Sequence, residues 1–352
     1  MSERLYLDHA ATTPVLAEAR DAMADALGHW ANPSSPHADG RAARAALERA
    51  RADIAGALGW RHDVILTSGA TEAISIVAAR AAVPGRALGA TEHDAVIAAM
   101  GSDALVLPVD QDGIVKADSL PRAAALVAVQ QVNNETGAIQ PLADMLPGIR
   151  EAGSLLLADC AQGAGKLPLP DADFIAVSAH KLGGPPGIGA LLVKDLATLS
   201  AAGGQERGYR RGPENLPAAA GFAAALRSGA FDAGRERLTH LRRKIEEDIV
   251  SEGGIVIAAG GPRSPFIGAY AMPGTASAAQ LVQLDLAGGH GNAGSACSSG
   301  SMKASHVHQA MGLAAEIAGS TIRVSFGPYT SEADVDRFLA EWRRIRSRAA
   351  AA

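Results

Sequence analysis

Short apolar runs alternating with helical stretches constrain this chain more than any other feature. Residues 63–67, 104–107, 126–129, 155–158, 174–177 and 189–193 are short, continuous and apolar, and turn formers bound them. That pattern suits strands covered on both faces. Helical stretches such as 72–80 and 142–152 lie between them. The alternation predicts an α/β domain built on a mostly parallel sheet. Beyond Gly229 the pattern changes. A long charged amphipathic helix over 235–251 is followed by Gly253-Gly254 and by strand-like segments at 255–258 and 267–270. A Gly/Ser loop, a helix near Val307, a strand over 321–325 and a closing helix from Ser331 complete the chain. Ser331 with Asp334 reads as a capping box for that last helix. This tail predicts a smaller α+β domain, and its Arg343-Arg344-Ile345-Arg346 run reads as a solvated helix face.

Length and composition narrow the classes further. At about 150 residues per domain, the 352 residues suggest two domains and are enough to bury a large core. An apolar fraction of 48% with 20% charged residues rules out disorder as the main state. No apolar run approaches the ~20 residues that cross a bilayer, and no apolar signal segment precedes Leu5. A cytoplasmic protein without membrane association is expected. A net charge of −5, from 32 basic and 37 acidic residues, opposes a nucleic-acid partner. The two cysteines, Cys160 and Cys297, cannot build a disulfide framework or a Cys-rich metal site, so each is by default a reduced thiol. His306 and His308 offer two nitrogen ligands without a nearby third, and both read as helix-face residues. No metal is expected.

Three segments at predicted strand ends carry candidate chemistry. Thr67-Ser68-Gly69-Ala70-Thr71-Glu72 follows a strand and opens a helix. Free N–H groups and a hydroxyl there suit a phosphate, although a hydroxyl cap at such a turn is also ordinary structure. Asp159-Cys160-Ala161-Gln162 places an acid at a strand's carboxyl end, where open α/β sheets bind ligands. The plain alternative is a helix N-cap. Ser178-Ala179-His180-Lys181 then puts a lysine directly after a buried strand, ahead of a Gly/Pro-rich turn. Lysine normally occupies solvated helix surface, whereas a partly desolvated amine can form a Schiff base. Asp159 and Lys181 stand about one strand-helix-strand step apart. They match the needs of pyridoxal phosphate, an amine for its aldehyde and an acid for its ring nitrogen.

With these residues in place, the sequence resembles the cysteine desulfurases, which belong to the class V aminotransferases among fold-type I pyridoxal phosphate enzymes. The resemblance rests on Tyr6-Leu7-Asp8-His9-Ala10-Ala11-Thr12-Thr13-Pro14, Asn32-Pro33-Ser34-Ser35-Pro36-His37, Gly69-Ala70-Thr71-Glu72, Glu92-His93 and Val132-Asn133-Asn134-Glu135-Thr136-Gly137. It continues through the segments at 159–162 and 178–181, Gly294-Ser295-Ala296-Cys297 and Ile322-Arg323-Val324-Ser325, in family order over nearly the whole chain. It implies a large domain with a mostly parallel seven-stranded sheet over 12–250, and a small α+β domain from 1–11 and 251–352. It also implies a homodimer. By position, Lys181 would hold the cofactor, Asp159 would pair with its ring nitrogen and Gln162 would bond its 3-oxygen. His93 would stack on the ring and help move protons. Ala70, Thr71, Ser178 and His180 would form the phosphate site, and Arg323 with Asn134 would bind the substrate carboxylate. A guanidinium suits a carboxylate better than an ammonium does.

The same resemblance gives the second cysteine a role. From Gly288 to Ser301 the sequence is rich in Gly and Ser, a composition that favours a mobile loop rather than a core. A filler thiol is usually buried among apolar neighbours, so Cys297 is out of place there unless it is reactive. By resemblance it takes sulfur from L-cysteine as a persulfide and passes it to an acceptor protein, in the housekeeping and nitrogen-fixation type with a long cysteine loop. Iron–sulfur cluster or thio-cofactor synthesis would use that sulfur. Cys160 reads as a small buried side chain. Pro213 stands where the family has a Thr that reaches the partner's cofactor phosphate, and Pro186 stands where a Lys is often found. The chain ends soon after its last helix, without the tail some members use to dock a scaffold. The alternatives are another class V enzyme, such as a selenocysteine lyase or an aminotransferase, and a binding protein that has lost catalysis.

Overall fold

The computed structural model describes residues 5–28, 31–292 and 305–350. The chain opens with β1 (Leu5–Tyr6) and two helices, α1 (Ala17–Gly28) and α2 (Ala38–Ala57). Strand β2 (Asp63–Thr67), α3 (Ala70–Arg80), β3 (Gly85–Gly89), α4 (Asp94–Met100), β4 (Leu105–Leu107) and β5 (Ala125–Gln130) follow. Then come α5 (Leu142–Glu151), β6 (Leu155–Asp159), β7 (Phe174–Ser178), β8 (Gly189–Val193), α6 (Leu216–Arg227) and α7 (Ala230–Ser251). The remaining elements are β9 (Ile255–Val256), β10 (Ile267–Ala271), α8 (Ser277–Leu286), β11 (Gly289–His290), α9 (His306–Ala310), α10 (Ala315–Gly319), β12 (Thr321–Ser325) and α11 (Glu332–Ala350).

Seven strands form one sheet in the order β2-β8-β7-β6-β5-β3-β4. Only β8 opposes its neighbours; the others run one way, which brings their carboxyl ends to a common rim. Alternation along each central strand explains why the runs are apolar throughout. Val127, Leu156, Ile175 and Leu192 face one layer, with α2, α5 and α6. Leu126, Leu157, Phe174 and Leu191 face the other, with α3 and α4. Successive side chains point to opposite faces, and each fully buried one contributes about 1.5–3 kcal/mol relative to exposure. The mostly parallel seven-stranded sheet of fold type I is therefore present.

The second group of strands forms the antiparallel set β12-β10-β9, and β1 pairs in parallel with β11. Residues 257 and 258 do not extend β9 as expected, because Ala258 turns away with φ +57°. Helix α7 starts five residues earlier than the charge pattern predicts. Its stripe of Phe231, Leu238, Leu241, Ile245 and Ile249 is buried at helical spacing. The capping box forms: Ser331 Oγ accepts from the Asp334 N–H, and Asp334 Oδ2 accepts from the Ser331 N–H at 2.8 Å. The arginine run is not simply solvated, since Ile345 is buried and Arg343 pairs with Asp248 and Glu252 on the α7 side. Among the described residues, no helix is long and apolar enough to cross a membrane.

Candidate active site

Gln130 and Asp159, the last residues of β5 and β6, are paired across the sheet, and Ser178 ends β7 beside them. A cavity of about 350 Å³ opens over this rim. Among the expected cofactor residues, Ala70, Thr71, His93, Asp159, Gln162, Ser178, His180 and Lys181 all line it, as does Asn134. Nine positions spread over more than a hundred residues are thus brought together by the topology.

One end of the cavity is built for an anion. Helix α3 begins after Gly69, which gives it no side-chain cap, so its first-turn N–H groups retain their capacity. Gly69 sits at φ +155°, and a Cβ on the facing Gly189 would lie 2.7 Å from Gly69 Cα and 2.3 Å from the Val177 carbonyl oxygen. The close approach of these backbones requires glycine at 189. Thr71, Ser178 and His180 border the same space. His180 Nδ1 lies 3.2 Å from Thr12 Oγ1. Burial and the positive charges of Lys181 and Lys166 push its pKa down to about 4, so the ring is neutral near pH 7.

The other end offers complementary polar groups. Asp159 Oδ1 accepts from the Ala161 N–H at 2.9 Å. Gln162 donates to the Ala10 carbonyl at 2.8 Å, while its Oε1 is buried without a partner. His93 caps α4, its Nδ1 accepting from the Ala95 N–H at 3.1 Å. The lysine turn is fixed from outside by the N-terminal segment: Thr13 N–H donates to the His180 carbonyl at 2.8 Å, and Thr13 Oγ1 donates to the Lys181 carbonyl at 3.1 Å. An amine, an acid and an uncapped helix start facing one cavity fit pyridoxal phosphate.

Arg323 does not line the cavity. It lies behind Asn134, whose carbonyl accepts from Nη1 at 2.9 Å, and Nη2 is 2.7 Å from Asp8 Oδ1. Cys297 lies outside the described residues. Cys160 is fully buried in the core, with its thiol pKa pushed up by burial and by Asp159.

Three residues gained no role from sequence reasoning. Glu92 is fully buried, and burial pushes its pKa well above the usual carboxylate range. Its Oε1 accepts from the Gln130 N–H, and its carbonyl meets His306 Nε2 at 2.8 Å. Lys166 is buried with its ammonium nitrogen 4.5 Å from the Phe231 ring centroid; burial, then the charge of Lys181, lowers its pKa to about 7. Asp8 holds the guanidinium of Arg323. The only signal for Asp8 and Glu92 was membership of the quoted segments, which says nothing about partners.

The sequence matches the class-V aminotransferase family over residues 5–338, and the chain belongs to that family. Within it the chain belongs with the cysteine desulfurases. A cysteine desulfurase IscS from Dictyoglomus turgidum is 34% identical over 98% of this chain and 95% of its own length. An IscS-like cysteine desulfurase from Mycobacterium tuberculosis is 37% identical over 95% of this chain and 94% of its own. The crystal structure of a NifS-like protein from Rickettsia africae superposes with a TM-score of 0.86 at 27% identity, covering 98% of this chain and all of that one.

Proposed function

We propose that this chain is a pyridoxal phosphate-dependent cysteine desulfurase that converts L-cysteine to L-alanine and carries the sulfur on Cys297 as a persulfide. The observation that carries this reading is the convergence of Lys181, Asp159 and the uncapped start of α3 on one cavity. Lys181 would hold the cofactor through its amine, Asp159 would face the ring nitrogen, and α3 with Thr71, Ser178 and His180 would hold the phosphate. Bound there, the cofactor supplies an electron sink for the substrate's α-carbon.

The chain's own residues do the rest. Asn134 on the cavity wall, with Arg323 directly behind it, would bind and orient the substrate carboxylate, which fixes the reacting atoms relative to Lys181. Lys181 Nζ accepts the α-proton. His93 is neutral, because burial and then the charge of Lys181 lower its pKa, and its Nδ1 is engaged with Ala95, so the proton sits on Nε2. That N–H would give and retake a proton. Cys297 Sγ attacks the substrate sulfur; the carbon–sulfur electron pair stays with carbon, which takes up a proton to give alanine, and the new sulfur–sulfur bond stays on the enzyme. A homodimer in the cytoplasm that discharges this sulfur to an acceptor protein for cluster or thio-cofactor synthesis completes the reading.

The test is single-turnover alanine formation from L-cysteine by the cofactor-loaded protein and by Cys297→Ser. The variant should keep the cofactor's visible absorption and lose alanine formation; full activity would overturn the carrier role. Turnover that requires an added keto acid would instead identify an aminotransferase.

A further inference from the structure

Arg323 is an arginine whose ligand position is already taken. Its side chain is 1% exposed, and Nη2 is paired with Asp8 Oδ1 at 2.7 Å. Nη1 donates to the Asn134 carbonyl, while Nε is buried without an acceptor. Asp8 itself is doubly held. Its Oδ2 accepts from Asn292 Nδ2 at 3.2 Å, and its backbone bridges to Ser325 on β12. Asn292 in turn exchanges both backbone hydrogen bonds with Arg323. The Arg323 N–H donates to the Asn292 carbonyl at 2.5 Å, and the Asn292 N–H returns to the Arg323 carbonyl at 3.2 Å. Asp8, Asn292 and Arg323 therefore form a closed polar triangle immediately behind Asn134, a residue of the cavity wall.

A buried guanidinium left without a counter-charge is strongly destabilising. The substrate brings a second carboxylate to the same cation. We propose that Asp8 is the resident counter-ion of Arg323, a positioning residue that holds the guanidinium against Asn134 and competes with the substrate carboxylate for it. This inference rests on the functional reading above. Docking of the carboxylate is then an exchange of one anion for another. Nη2 is released from Asp8, the unused Nε supplies a second donor, and Asp8 stays tethered to Asn292. Such an exchange keeps the cation neutralised at every stage and weakens substrate binding relative to a guanidinium without a rival. It also makes the site selective, because only a ligand carrying its own carboxylate can displace Asp8.

The consequences separate competition from mere structural support. Asp8→Asn keeps an oxygen acceptor for Nη2 and removes the rival charge. Calorimetric titration of the cofactor-loaded variant with L-alanine should show a dissociation constant lower than that of the unaltered protein by about tenfold. Binding of cysteamine, which has the amine and thiol but no carboxylate, should be unchanged. The KM for L-cysteine should fall without a rise in kcat. Asn292→Ala leaves the charge but removes one hold on Asp8, so it should move the L-alanine constant in the same direction by a smaller factor; it also serves if Asp8→Asn fails to accumulate. Unchanged or weaker L-alanine binding in both variants would overturn the proposal, as would equal tightening for cysteamine. Failure of the unaltered protein to form alanine from L-cysteine would overturn the functional reading instead.

Discussion

The Ala95 N–H donates to His93 Nδ1 at 3.1 Å, so one imidazole both closes the start of α4 and faces the candidate cofactor cavity. The bond leaves the ring proton on Nε2. His93→Ala should therefore do two separable things. Loss of the cap should cost about 1 kcal/mol of stability, read from urea midpoints. Loss of the proton-bearing ring should lower turnover of L-cysteine by about 10²–10⁴-fold. His93→Asn should restore the first and not the second.

Gly189→Ala tests the backbone cradle. The added carbon would press on the Val177 carbonyl and on Gly69, neither of which is a flexible side-chain end. A destabilisation of about 1–3 kcal/mol is expected, together with weaker retention of pyridoxal phosphate during dialysis. Full cofactor retention would mean that the start of α3 does not depend on this contact.

The Arg51–Glu206 pair is a buried bidentate ionic contact away from the site. Glu206 takes both guanidinium Nη atoms, at 2.5 and 2.9 Å, and also accepts the Leu66 N–H at 2.8 Å. Glu206→Ala leaves the Arg51 guanidinium only the half-exposed Glu48, 3.0 Å from Nε, and takes the acceptor from the Leu66 N–H, so it should cost about 2–3 kcal/mol. Arg51→Met combined with Glu206→Leu should recover much of that loss in equilibrium denaturation.

His9 gives a pH dependence with a definite sign. Burial, then the charge of Lys166, pushes its pKa down to about 3, against 6.5 for the ordinary side chain. Between those values the unfolded chain binds a proton that the folded chain refuses, so stability falls as pH falls from 6.5 toward 3. The slope from this one group is about 1.4 kcal/mol per pH unit. His9→Gln should flatten the urea midpoint between pH 6 and pH 4; an unaltered slope would assign the acid sensitivity elsewhere.

The large sheet was legible because its strands are buried on both faces and write that burial as unbroken apolar runs. Strand β3 was not, since Gly85-Arg86-Ala87-Leu88-Gly89 has no β-branched residue and no unbroken apolar run; its place between β5 and β4 comes from long-range pairing. The site was legible as a set of residues wherever a strand end met a turn, at 69–71, 159–162 and 178–181. What the sequence could not state was pairing. That Asp8 meets Arg323, that His306 meets the Glu92 carbonyl, and that Lys166 rests on Phe231 are tertiary facts with no local signature.

The segment from Leu5 to Thr13 is stitched into several distant parts of the chain. It pairs with Gly289 and His290, meets Ser325 and Arg323, and fastens the turn at His180 and Lys181. Its partners on β12 are separated from it by more than three hundred residues, as with Ala10 and Ser325 at a separation of 315. Contacts of such high sequence separation form late, and domains are made from the N-terminus onward. On the ribosome, the rim that ends in Asp159 and the Lys181 turn can therefore be complete before Arg323 has been synthesised. Under the proposed function, readiness to take up cofactor thus precedes readiness to recognise a carboxylate substrate, and residues 5–13 join the two stages.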